Sequence, residues 1–145
     1  MSAGGTSIGR FDPQLLFRYF RDYGHGQLLN LEYRDSGPDW VEAALPWREE
    51  LVGLTKQGSF ASSVIVSLLD TCGGVAVYQR FGEVTKSATI DLRVDYLRSA
   101  RKGETVVARC ECYKVTRQVA FVRGWAQSED GDPIAQAAGT FILAA

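Results

Sequence analysis

A chain of 145 residues, 46% hydrophobic and 23% charged, is long enough to bury one full core and too apolar to stay disordered. Sixteen Lys and Arg against seventeen Asp and Glu leave a net charge of -1, without the basic excess that nucleic acid or an anionic membrane surface would need. The single histidine, His25, excludes a multi-histidine metal site. The three cysteines, with a Cys110-x-Cys112 spacing, suit neither a disulfide scaffold nor a structural zinc site. No metal, and reduced, packed thiols in a cytoplasmic protein, are therefore expected. Residues 1–10 are small and polar, read as a flexible N-terminus, and carry no signal-peptide pattern, while residues 11–145 read as a single domain.

Asp12 and Pro13 read as the N-cap and first residue of a helix. Leu15, Leu16, Tyr19, Phe20 and Tyr23 lie on its apolar side, Gly24 ends it, and Phe11 is placed to staple onto Leu16. Two strands are expected over 28–34 and 40–45, with turn chemistry at Ser36-Gly37-Pro38-Asp39 between them. Residues 46–59 read as a loop with short turns. A long, almost wholly apolar helix follows over 60–80, ended by Gly82. Serines and glycines along it make it a poor membrane span and a good buried helix. The period then changes to two. Ile90, Leu92, Val94 and Tyr96 alternate with Thr89, Asp91, Arg93 and Asp95, so Tyr96 reads as core or interface. Further strands are expected over 106–112, 119–125 and 134–143, with Asp130-Gly131 as a hairpin turn before the last. Trp40, Trp47 and Trp125 read as packing residues. The order implies an α+β fold, with an antiparallel sheet wrapped around one long central helix and an extra N-terminal helix. A helix apolar nearly all round needs more cover than one sheet face, and a second copy of the chain would supply it.

Asp70 is the only charge between Phe60 and Gln79. A lone carboxylate in an apolar helix must be paired, hydrogen-bonded or neutral. Its helical neighbours Ser63, Ser67, Gly73 and Gly74 make a small, weakly polar stripe that lets a ligand or another helix come close; a purely packing role through nearby hydroxyls is the competing reading.

Three segments, SLLDTCGGVAV, ATIDLRVDYLRSARKGETVVARCECYK and DGDPIAQAAGTFIL, resemble the PaaI-type, phenylacetyl-CoA-thioesterase-like branch of the hotdog acyl-CoA thioesterases over about residues 50–143. The resemblance implies a hotdog fold, a homodimer or homotetramer, and hydrolysis of an acyl- or aryl-acyl-CoA thioester. No cofactor is implied beyond the coenzyme A of the substrate. It puts the general base or nucleophile on Asp70 and the backbone oxyanion donor on Ser62. The family's HGG triplet reads Ala61-Ser62-Ser63 here, and the family's preceding Asn falls on Thr55. Thr55, Gly58, Ser63 and Thr89 complete the expected substrate-binding positions, and the basic run Arg98, Arg101 and Lys102 suits the phosphates of coenzyme A, unless it is an ordinary solvated turn. Ser62 and Asp70, eight residues apart on a helix, lie about 12 Å apart along its axis. One carbonyl cannot touch both, so Ser62 of one protomer and Asp70 of another would bracket it at a subunit interface. The alternative is a non-catalytic acyl-CoA-binding hotdog protein. A hydratase would need a catalytic histidine, and His25 lies outside the helical motif.

Overall fold

Asp12 Oδ1 accepts the Gln14 N–H at 2.9 Å, and Pro13 opens helix α1 (Pro13–Phe20) where no N–H is needed. The computed structural model describes residues 11–53 and 56–144. Gly24, at φ +65°, does not end the helical region but redirects it into a second short helix, α2 (Gly24–Leu29), closed by Asn30 in the left-handed conformation. The strand expected from residue 28 therefore starts only at Glu32. Leu29 is buried from the helix, and the left-handed Asn30 separates it from the extended chain that buries Leu31. β1 (Glu32–Ser36) and β2 (Trp40–Leu45) form a hairpin, and residues Glu49–Leu51 make one 3₁₀ turn.

Helix α3 (Ser62–Phe81) matches the long apolar run and stops at Gly82, whose φ of +73° lets its N–H return to the Tyr78 and Gln79 carbonyls. β3 (Ser87–Tyr96), β4 (Val106–Val115), β5 (Val119–Ser128) and β6 (Pro133–Leu143) follow. All six strands pair antiparallel in the order β1-β2-β4-β5-β6-β3. The β5–β6 turn is longer than the two residues that Asp130-Gly131 suggests. Ser128 and Asp132 close it, the Asp132 N–H donating to Ser128 Oγ at 3.0 Å, with Gly131 at φ +90° inside.

This is the hotdog arrangement. α3 lies across β2, β4 and β5 and buries Leu68, Leu69, Cys72, Val75 and Ala76 against Val41, Ala43, Ala108 and Cys110. Cys110 and Cys112 share the inward face, and all three thiols are free and buried. α1 packs beside β1 and puts Phe17 into the core, while Phe11 packs edge-on against Tyr78 of α3 with 6.2 Å between ring centroids. Trp47 ties down the loop through an Nε1–H bond to the Gly58 carbonyl at 2.9 Å. Trp40 stacks under Arg109, and Trp125 is exposed on the outer sheet face. No described helix is long and apolar enough to cross a membrane.

Gly73 marks a close approach of helix and sheet, since a Cβ there would stand 3.3 Å from Phe141 and 3.4 Å from Val122. At Gly74 a Cβ would meet only Phe141, at an ordinary 3.7 Å. Urea unfolding should therefore separate two adjacent glycines. Gly73→Val should cost about 1–3 kcal/mol by overpacking, whereas Gly74→Ala should be neutral or gain up to about 1 kcal/mol of helix propensity.

Candidate active site

Asp70 is half-buried on α3, and its hydrogen-bond partner is neither Ser63 nor Ser67 but Thr89 of β3, whose hydroxyl donates to Asp70 Oδ1 at 2.7 Å. No other hydrogen bond to this carboxylate is made among the described residues. Strict alternation would not have allowed the contact, because it puts Thr89 on the face opposite Leu92 and Val94. The register of β3 shifts between Thr89 and Asp91, so Thr89 pairs with the inward Phe141 while Leu92 and Val94 stay on the inner face opposite Gly139 and Ala137. Ile90, the extra residue, turns outward and is 56% exposed, which corrects its expected place beside Leu92. No Gly or Pro announces this bulge in the sequence.

Asp70 and Thr89 open onto a cleft of about 180 Å³ that runs along α3 from Asp70 past Gly74 to Tyr78, with Phe141 and Phe20 as further aromatic walls. Ser63 and Ser67 line a different groove, of about 250 Å³, between α3, α2 and the 3₁₀ turn. His25 and Glu50 face that groove too, so the only histidine stands on α2 beside the start of α3 and not in a loop. The stripe read as one surface is thus two.

Ser62 is the first residue of α3. The preceding Ala61 offers no side-chain cap, and both Ser62 and Ser63 are exposed. The N–H groups of a helix start are unsatisfied by the helix itself and carry partial positive charge. The Ser62 carbonyl accepts the Tyr96 hydroxyl at 2.7 Å, tying the end of β3 to the start of α3. Tyr96, read as core or interface, is 46% exposed in the single chain. Before the helix, a short ribbon forms as the Ala61 N–H reaches the Leu51 carbonyl at 2.9 Å and Val52 bridges to Phe60. Thr55 lies outside the described residues. Gly58, at φ +73°, sits against the aliphatic stem of Lys102, where a Cβ would stand 3.0 Å from Cδ, so these two expected binding residues are neighbours.

The basic run divides. Arg98 donates to Glu104 through both terminal nitrogens, at 2.9 and 2.7 Å, and its Nε lies 2.8 Å from Asp132 Oδ2. Two carboxylates thus neutralise Arg98 inside the turn, where it fixes the β5–β6 corner against the β3–β4 connection; the cluster leaves Arg101 and Lys102 exposed. Arg101 is only 3.8 Å from Asp132 and remains 70% exposed.

The arrangement is that of an open helix start, a hydroxyl-anchored carboxylate and a cleft beside it that is polar around Asp70, Thr71, Ser87 and Thr89 and aromatic toward Tyr78 and Phe20. The family model described as the thioesterase superfamily matches residues 58–135, more than half of the chain. A Halobacterium salinarum protein, named as an esterase without proof, is 31% identical over 90 residues, which is 60% of this chain and 60% of that protein. Among solved structures, a Pseudomonas aeruginosa protein is 30% identical with a TM-score of 0.79, covering 92% of this chain and 100% of that one. The E. coli PaaI protein from the phenylacetic acid degradation operon is 14% identical with a TM-score of 0.78, covering 92% of each chain, and so shares the fold. The chain belongs to the thioesterase superfamily.

The Arg98 pairing has a consequence for stability. The hydrogen bonds from Arg98 hold the Glu104 carboxyl below the usual carboxylate range, against the opposing effect of burial. A lowered folded value means that Glu104 stabilises the fold above the ordinary carboxylate range and that this contribution is lost as pH falls through the folded value. Arg98→Ala should cost about 2–3 kcal/mol at neutral pH and flatten the acid limb of a stability-versus-pH curve measured by urea melts. Arg101→Ala should leave both nearly unchanged, as exposed ion pairs do.

Proposed function

Taking membership of the thioesterase superfamily as the premise, we propose that this protein hydrolyses the thioester of an acyl- or aryl-acyl-CoA to the free acid and coenzyme A. The Thr89–Asp70 pair opening onto the cleft toward Tyr78 and Phe20 is the observation that carries this reading. Thr89 holds Oδ1, so Asp70 stays oriented with its other oxygen toward a water. Asp70 takes the proton of that water as its oxygen bonds to the thioester carbon. The carbonyl oxygen becomes an oxyanion and accepts the Ser62 N–H at the positive end of α3. Collapse of the intermediate breaks the C–S bond, and the proton held by Asp70 passes to the departing thiolate. Attack by Asp70 itself, through an anhydride that water then opens, uses the same groups.

The axial separation of about 12 Å between Ser62 and Asp70 makes this a site shared by two protomers of a homodimer or homotetramer. β3 ends the sheet, and its edge, unpaired among the described residues, and the exposed Ile90, Tyr96 and Leu97 favour such pairing. Gly58 and Ser63 border the helix start, and Arg101 and Lys102 supply the positive charge for the phosphates of coenzyme A. No further cofactor is required, and three free thiols suit a cytoplasmic location. The alternative of an acyl-CoA-binding protein without turnover is favoured by Ala61-Ser62-Ser63, which puts two side chains where the resemblance implies glycines.

Thiol release from a panel of acyl-CoAs, run beside a direct binding measurement, separates the two. Turnover should be found, and Asp70→Asn should lower kcat by at least about 100-fold with folding intact. Thr89→Ala should lower kcat about tenfold, the scale of one lost hydrogen bond to a charged group, with KM little changed and Thr89→Ser restoring most of it. Tight binding with no turnover of any thioester would give the binding reading instead. Replacing Arg101 and Lys102 by Ala should raise KM for acyl-CoA while leaving kcat, and activity on acyl-pantetheine, nearly unchanged.

A further inference from the structure

We infer that Phe20, on the N-terminal helix, sets the upper size of the acyl group, limiting it to a single ring or a chain of about six carbons. This rests on the reading that the Asp70 cleft is where the thioester reacts. On α3 the cleft is lined at intervals of one turn by Asp70, Gly74 and Tyr78. Gly74 leaves its floor bare, and the nearest atom to a Cβ there would be the Phe141 ring at 3.7 Å. Past Gly74 the cleft is lined by Tyr78 and by Phe20 of α1.

Both far walls are braced. Phe20 stands edge-on to the buried Phe17 with 6.1 Å between centroids, and Tyr78 edge-on to Phe11 at 6.2 Å. Gly26 of α2 also comes directly against the Phe20 carbonyl, leaving no room for a Cβ there. These contacts place two packed rings at the far end of the cleft. A volume of about 180 Å³ is slightly more than the roughly 150 Å³ of an apolar cavity that takes benzene. A phenyl-sized or six-carbon group matches the space between Asp70 and Phe20, and a longer chain would have to run on past Phe20. Phe20 precedes residues 58–135, so this limit comes from outside the segment that matches the superfamily model.

The test uses S-alkyl-CoA thioethers of two to twelve carbons, which bind without being cleaved, titrated calorimetrically into the full chain, beside the thioester panel. Wild-type affinity should rise about fourfold per methylene buried up to about six carbons and then stop rising. Phe20→Ala should extend the rise by about two carbons or more, and Phe20→Leu, the milder variant should Ala unfold the corner, by fewer. Gly74→Ala should shorten it, since its methyl enters the cleft. A wild-type optimum at ten to twelve carbons, the same length profile in all variants, or no binding of any thioether would overturn the inference. The length pattern without cleavage of any thioester would retain the Phe20 limit and reject the hydrolase reading; cleavage without the pattern would do the reverse.

Discussion

A carboxylate set into an apolar helix needs a donor, and in this fold the donor depends on the register of one edge strand. With unbroken alternation on β3, Ile90 would face α3 and Thr89 would face outward. Asp70 would then lie against a hydrocarbon with its partner lost, a penalty of about 1–3 kcal/mol or more for a charged group. The register shift between Thr89 and Asp91 reverses both placements. Thr89 reaches Asp70 Oδ1 at 2.7 Å, and Ile90 is moved to the outside of the sheet edge. One inserted residue thus orients the candidate base and adds an apolar side chain to the edge where a second copy would pair. Site chemistry and the edge strand are coupled through the same bulge.

The elements legible in the sequence are those whose period repeats for several turns or pleats. α3, β2, β4, β5 and β6 lie close to where their patterns put them, and Asp70 stands out because it interrupts twenty otherwise uncharged positions of the pattern. What was not legible depends on single residues or distant partners. α2 is six residues long and has no side-chain cap, so Leu28 and Leu29 looked like the start of a strand. The bulge on β3 has no glycine or proline to mark it. The fate of Arg98 depends on Glu104 and Asp132, which reach it from two different turns, and no local pattern joins those three residues. Likewise Phe20 reads as one more apolar residue of α1, and only the fold brings it to the cleft beside Asp70 and Tyr78.

The start of α3 shows the same dependence on distant partners. The Val64 N–H donates to the Ala61 carbonyl at 3.0 Å, but the Ser62 and Ser63 N–H groups find no partner among the described residues because Ala61 cannot cap them, and a protein that needed this end only for stability would gain about 1 kcal/mol from a capping side chain there. Instead the end is held from other directions. Tyr96 bonds the Ser62 carbonyl, and the Leu51 carbonyl takes the Ala61 N–H. These contacts hold the position of the helix start without occupying its first free N–H groups, which is the condition for an oxyanion site whose donors are already in place before substrate arrives.

Gly73 and Gly74 carry the same argument into the middle of the helix. Each costs about 1 kcal/mol relative to alanine in a helix interior, yet they face different surroundings. At Gly73 the missing side chain lets Phe141 and Val122 close onto the helix, so packing offsets the cost. At Gly74 the sheet does not close in; the space stays open as part of the cleft one turn from Asp70 and is walled by rings braced from behind. Among the described residues, only the Phe141 ring comes near Gly74, and it does not close onto the helix there. On the proposed reading, this aromatic-walled gap beside the helix's only interior charge is where the acyl group would lie, and Phe20 and Tyr78 would limit its reach.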